Sequence, residues 1–259
     1  IHFAHQTFNW SNEAKSNAAV HVVIIGFAQF DSTNKRIFEY ENIKSNAHEK
    51  SAKNINAYLV EGDDIVIEKR RKPLCNVLNI IKGNYYAKSE GLIIEEKDLD
   101  YLVKNEPNAK KWIKLLIGAD EFINNRKRYC LWLVDCPPDE LRKMPLVMER
   151  VNRVREDRLK STDKGMQNLA PIRFRETNNP DKCIVIPVVS SEKRPYIPIG
   201  FIDKNTISTN GNLIIPNGDL FLFGQLTSLM HMSWVKYTCG RLKSDYRYSK
   251  DLVYNNYPF

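Results

Sequence analysis

Cys183–Val189 reads CIVIPVV, and the stretch from there to Cys239 decides the fold class. Tyr196–Phe201 (YIPIGF), Leu213–Ile215 (LII) and Leu220–Phe223 (LFLF) repeat the same strand-like composition at short intervals. A helix is then expected from about Thr227 to Cys239, with Gly240 as its natural stop. Working toward the N-terminus, Tyr129–Val134 (YCLWLV) is a compact buried-strand pattern, and a helix starts near Pro145, where proline suits the first turn. Met144, Val147, Val151 and Val154 recur at helical spacing and form one apolar stripe, leaving Arg150, Arg153, Arg155, Arg158 and Lys160 for the other faces. Further upstream, Ala57–Val60 and Ile65–Glu68 read as short strands and Asn42–Ala52 as a polar linker. Val20–Phe27 (VHVVIIGF) and Arg36–Tyr40 (RIFEY), joined by turn chemistry at Asp31–Lys35, predict an antiparallel hairpin. Asn9–Ala19 carries helix formers, with Ser11 and Asn12 as caps. Strands and helices mix without a regular βαβ period, so the expected class is α+β.

The chain has 259 residues, 42% of them apolar and 27% charged, enough to bury a real core. Its length suits one large domain or two modest ones. The longest strongly apolar run, Val20–Phe27, is far short of the roughly 20 residues a membrane helix needs. No signal-peptide pattern opens the chain, which begins Ile-His-Phe-Ala without a methionine and reads as a piece excised from a longer protein. The five cysteines (75, 130, 136, 183 and 239) form no CxxC pair, so neither a disulfide framework nor a zinc knuckle is indicated, and a cytoplasmic location follows.

Catalytic motifs are scarce. The eleven glycines never fall as Gly-x-Gly, so a nucleotide-cradling loop is absent. Asp135-Cys136-Pro137-Pro138-Asp139 looks like a Pro-Pro loop that grips a flipped base, but an acid stands where a stacking aromatic is needed. A strand end and a rigid helix entry is the better reading. Asp63-Asp64 and Glu68-Lys69 invite a metal-nuclease reading, yet Asp64 to Glu68 leaves no room for a turn between strands. His2 and His5 lack further His or Cys partners nearby, and His231 suits a packed helix.

Charge supplies the positive signal. Lysine and arginine number 39 against 31 acids, a formal +8. Residues 236–250 carry Lys236, Arg241, Lys243, Arg247 and Lys250 against Asp245 alone, interleaved with Tyr237, Tyr246 and Tyr248. Cations neutralise phosphates and tyrosines offer stacking faces, so this segment is a nucleic-acid candidate. Tyr246 and Tyr248 share one face if the stretch is extended. Lys69–Lys72, containing Arg71 and Lys72, is a second basic group. The acidic stretch 90–107 shows that charge is segregated along the chain.

Gly240–Ser249 (GRLKSDYRYS) followed by Val253–Pro258 (VYNNYP) resembles the end of the target-recognition domain of MmeI-like DNA methyltransferases, long bacterial restriction–modification proteins of type IIL. Trp10–Lys15, Val22–Phe27, Arg71–Cys75, Arg128–Leu133, Glu140–Pro145, Ser190–Arg194, Tyr196–Phe201 and Met230–Trp234 match in order along the chain. One departure is the segment Gly83–Gly91, which replaces a Pro-x-Asp-Gly-Gly type of turn. The resemblance implies that residues 1–45 are the C-terminal remnant of a methyltransferase domain, with the hairpin left over from a class I methyltransferase sheet. Residues 46–259 are then the recognition domain. It implies double-stranded DNA and an upstream methyltransferase domain as partners. S-adenosylmethionine is implied for the adenine-modifying parent, with Mg2+ where the parent also cleaves, and neither cofactor for this chain.

Base choice in that family is expected in the C-terminal half of the recognition domain. The candidates are Lys193 and Arg194 for guanine, Asn217 for adenine and Asp219 for cytosine. Arg71, Lys72, Arg241, Lys243, Tyr246, Arg247 and Tyr248 complete the expected DNA contacts, with no catalytic, cofactor or metal residue among them. Two other readings stand beside this one: a stand-alone basic RNA- or protein-binding module, and a nuclease using Asp64 and Glu68.

Overall fold

The computed structural model describes residues 1–10 and 20–259, which divide into two compact units, Ile1–Lys69 and Arg70–Phe259. The first unit holds β1 (Phe3–Trp10), β2 (Val20–Gly26), β3 (Lys35–Glu39) and β4 (His48–Ala52) in the order β2-β1-β3-β4. The expected hairpin is therefore corrected. Strand β1 lies between the two segments, antiparallel to β2 and parallel to β3. The helix expected over Asn9–Ala19 fails at its start, because Asn9 and Trp10 end β1; residues 11–19 lie outside the described residues. The second half of the expected linker is strand β4, antiparallel to β3, so the division expected after residue 45 falls between two strands of one ladder. Neither Ala57–Val60 nor Ile65–Glu68 forms a strand: the first is a turn closed by an Ile55–Glu61 bridge, and the second is irregular.

The second unit contains β5 (Ile81–Lys82), β6 (Ile93–Glu95), α1 (Glu96–Asn105), β7 (Ile113–Ile117), α2 (Ala119–Asn124), β8 (Arg128–Leu131) and α3 (Pro138–Leu141). There follow α4 (Pro145–Leu159), α5 (Lys164–Gln167), β9 (Lys182–Pro187), β10 (Val189–Ser190), β11 (Gly200–Asp203), β12 (Thr206–Ser208) and β13 (Asn212–Pro216). The chain closes with α6 (Leu220–Leu226), α7 (Leu229–Thr238), β14 (Gly240–Leu242), β15 (Asp245–Arg247) and a π-helical turn at Lys250–Tyr254. Three sheets result, ordered β12-β7-β8-β6, β11-β9-β13-β5 and β10-β15-β14. The class is α+β, as expected.

Helix α4 shows how the core is organised. Its stripe of Met144, Val147, Val151 and Val154 is buried against the first of these sheets, as helical periodicity demands. Pro145 opens the helix without a side-chain cap of its own. Glu106, from the acidic stretch, supplies one instead: its buried carboxylate accepts from the backbone N–H groups of Leu146 (2.6 Å) and Val147 (2.9 Å). These are orphan donors at the positive end of the helix dipole.

Arg150 and Arg158, on the other faces of α4, are held by backbone carbonyls. Arg150 donates to the carbonyls of Gly91 and Ile93. Arg158, only 1% exposed, donates to the carbonyls of Lys88, Leu169, Ala170 and Arg173 and to Ser89 Oγ. A guanidinium that distributes its five donors over fixed acceptors is a structural pin, and burial lowers its pKa.

Gly83–Asn84 belongs to a polar seam joining two sheets. A Cβ at Gly83 would run into the Thr209 carbonyl oxygen. Asn84, fully buried, donates to the carbonyls of Asn178 (2.9 Å) and Ser208 (3.0 Å) and accepts from Asn178 N–H (2.8 Å).

Candidate nucleic-acid interface

The basic C-terminal segment folds as a hairpin, β14–β15, whose second strand also pairs with β10. Helix α7 runs into it directly. Cys239 is already extended, and no glycine among the described residues has a positive φ, so Gly240 starts a strand rather than serving as a left-handed helix stop. The two-residue tip is Lys243–Ser244, with Lys243 at φ 56°, a left-handed conformation unusual for a residue with a Cβ.

Strand alternation sorts the candidate residues. Tyr246 and Tyr248 do share a face, but it is the inner one: they are 5% and 2% exposed and belong to the core beneath the sheet. Tyr248 meets His231 Nε2 at 3.0 Å. Arg241 pairs directly across from Tyr246 and lays its guanidinium 4.0 Å from the centre of that ring. Its terminal nitrogens donate to the carbonyls of Ser244 (3.1 Å) and Lys236 (3.4 Å). Lys243 and Arg247 are exposed, and neither is in an ion pair among the described residues.

The Ser190–Arg194 loop leaves the outer edge of the same sheet, because Val189 and Ser190 pair with Arg247 and Tyr246. Asp245 ties it to the hairpin, its Oδ1 accepting from Glu192 N–H at 3.3 Å. Lys193 is exposed and Arg194 half-buried; Arg194 Nε and Ser190 Oγ are shielded from solvent without a hydrogen-bond partner. The second basic group joins from elsewhere in sequence. Arg70 N–H donates to the Asp251 carbonyl, and Asn255 Nδ2 donates to the Arg70 carbonyl. These bonds fasten the exposed Arg71 and Lys72 to the turn that follows the hairpin. Neither this stitching nor the Asp245 link carries a local sequence signal.

Asn217 and Asp219 lie elsewhere. Both sit in the turn between β13 and α6, where Asn217 is exposed at φ 58° and its N–H donates to the Lys182 carbonyl. The strand expected at Leu220–Phe223 is the start of helix α6: Asp219 caps it, accepting from Leu222 N–H at 2.8 Å. Short apolar runs do not distinguish strand from helix, and the capping residue decides here. Leu222 and Leu226 turn inward, while Leu220 and Phe221 stay about three-quarters exposed (73% and 74%).

The motifs set aside from sequence also have places. Pro137-Pro138 enters α3 and Asp139 pairs with Arg142 at 2.6 Å, while Asp64 accepts from Asn54. Among the described residues no three His, Cys, Asp or Glu side chains form a metal-binding group. His231 is buried, which lowers its pKa to about 4.

The α+β scaffold thus presents a small cation-bearing sheet with its tyrosines turned inward. The model of the MmeI target recognition domain family matches residues 61–259, and that of the MmeI DNA-methyltransferase domain matches residues 1–39. The chain belongs to the MmeI target-recognition-domain family. DNA methyltransferase A of Bacillus subtilis (strain 168) is 40% identical over 262 residues, covering all of this chain and 29% of that protein. The solved structure of the type IIL restriction–modification enzyme MmeI in complex with DNA superposes with a TM-score of 0.86 at 44% identity, covering 98% of this chain and 34% of that one. This chain thus spans about a third or less of the length of these relatives.

Proposed function

We propose that this chain reads the sequence of duplex DNA on behalf of a longer adenine-specific DNA methyltransferase of a restriction–modification system. The observation that carries the reading is the gathering of Lys193, Arg194, Lys243 and Arg247 on one three-stranded sheet and its loops. Lys243, Arg247, Arg71 and Lys72 neutralise phosphates and set register, while the Ser190–Arg194 loop, Asn217 and Asp219 supply base contacts. The buried Tyr246 and Tyr248 support the sheet instead of stacking on bases. The solved relative was captured on DNA, which favours duplex DNA over RNA as the ligand. Competition between duplex DNA and RNA tests the choice: preference for RNA overturns it.

The likeness of residues 1–39 to a methyltransferase domain supports an upstream methyltransferase domain as partner. Strand β2 agrees, being at a sheet edge with Val23, Ile24 and Ile25 partly exposed on both faces, as suits an inner strand of a larger covered sheet. We place residues 1–45 with that domain and residues 46–259 with recognition, the β3–β4 ladder then crossing the boundary between them. The residues of this chain do not fit S-adenosylmethionine, since the only Pro-Pro segment is tied into α3 and no Gly-x-Gly turn occurs. The cofactor, and Mg2+ for any cleavage, belong to the remainder of the long protein. Titrating this chain with S-adenosylmethionine by calorimetry tests that division; micromolar binding overturns it. No helix among the described residues is long and apolar enough to cross a membrane, and the five free cysteines suit a cytoplasmic site of action.

A further inference from the structure

We infer that Arg241 is a positioning residue of the interface, bracing the hairpin tip that presents Lys243, and not one of its phosphate contacts. The inference rests on the reading that this sheet binds DNA. Three observations converge on the guanidinium. It lies 4.0 Å from the ring centre of Tyr246, which is itself fixed in the core. One terminal nitrogen holds the Ser244 carbonyl, immediately after Lys243 in the tip. The other faces the carbonyl of Lys236 in the last turn of α7. The side chain thus spans helix end, strand and tip at once.

That span has a consequence at Lys243. Its φ of 56° is disfavoured for a side chain with a Cβ and persists where surroundings over-determine it. The Arg241–Ser244 bond fixes the Ser244–Asp245 peptide at the end of the tip, one residue beyond Lys243, and Asp245 fixes the opposite strand through Glu192. The ammonium of Lys243 is consequently delivered from a rigid tip. A planar fork stacked on an aromatic ring suits this role, and lysine cannot reproduce it.

The test is a salt titration of duplex-DNA binding by the 259-residue chain, paired with selection from a randomised duplex library. Melting curves select the variants that keep the fold. Lys243→Ala and Arg247→Ala are expected to lower the slope of log affinity on log salt by about one each. Arg241→Lys is expected to keep the slope and lose about tenfold in preference between best and average sequences, roughly the worth of one base position. If Arg241→Lys binds and selects as the parent does while Arg241→Ala loses one unit of slope, Arg241 is a phosphate contact and the inference fails. If Lys243→Ala and Arg247→Ala change neither slope nor affinity, the DNA reading of the sheet fails instead, a separately recognisable outcome.

Discussion

His231 Nε2 and the Tyr248 hydroxyl lie 3.0 Å apart inside the domain, directly beneath the strand that carries Arg247. The imidazole also packs edge-on against Tyr257. Burial depresses the His231 pKa from 6.5 to about 4 and raises that of Tyr248 well above its usual value.

Stability should therefore depend on pH through His231. Its folded pKa is below the unfolded one, so the unfolded chain binds the proton first. The contribution is complete above about pH 6.5 and is lost as pH falls toward 4, by up to on the order of 3 kcal/mol. Urea denaturation of the parent and of His231→Gln at pH 7.5 and 5 checks this: the variant should lose less stability between the two. Equal losses would remove His231 as the cause.

Lys243→Gly should move stability and binding in opposite directions. Glycine relieves the left-handed tip, and the expected gain is about 0.5–1 kcal/mol after its own entropic cost. Duplex-DNA affinity should fall, with a salt slope smaller by about one. Thermal melting and fluorescence anisotropy measure the two effects on one preparation.

Arg158→Met should be among the most damaging substitutions in the second unit. It leaves buried carbonyls of Lys88, Leu169, Ala170 and Arg173 without their donor. A loss of roughly 3 kcal/mol or more is expected, read from the denaturation midpoint. A change within 0.5 kcal/mol would mean that the loops around residues 88 and 170 close on one another without it.

Asp219 tests a cap against a base contact. Asp219→Ala should cost about 1 kcal/mol by uncapping α6, whereas Asp219→Asn should retain most of that stability. If Asp219 also reads a base, the Asn variant changes the preferred sequence at one position, which library selection detects. Unchanged preference confines Asp219 to the helix.

The amino-acid sequence by itself determined the elements whose pattern is local. Helix α4 with its buried stripe, strands β8, β9 and β13, and the position of α7 follow from spacing and composition alone, because each face is set by residues a few positions apart. The two basic groups and the period-two pairing of Tyr246 with Tyr248 were equally legible. Tertiary structure decided everything that depends on distant partners. Strand β1 separates β2 from β3, a pairing that no turn between them encodes. Asp219 turns LFLF into a helix that packs Leu222 and Leu226, although the same letters suit a strand. Arg150 and Arg158 look alike in sequence to the exposed Arg247, yet carbonyl acceptors from elsewhere in the fold hold them. Likewise, the face shared by Tyr246 and Tyr248 points to the core because α7 and the Lys250–Tyr254 turn lie beneath it. A long side chain is free or committed according to what the rest of the chain brings within hydrogen-bonding reach, and that distance is not written along the sequence.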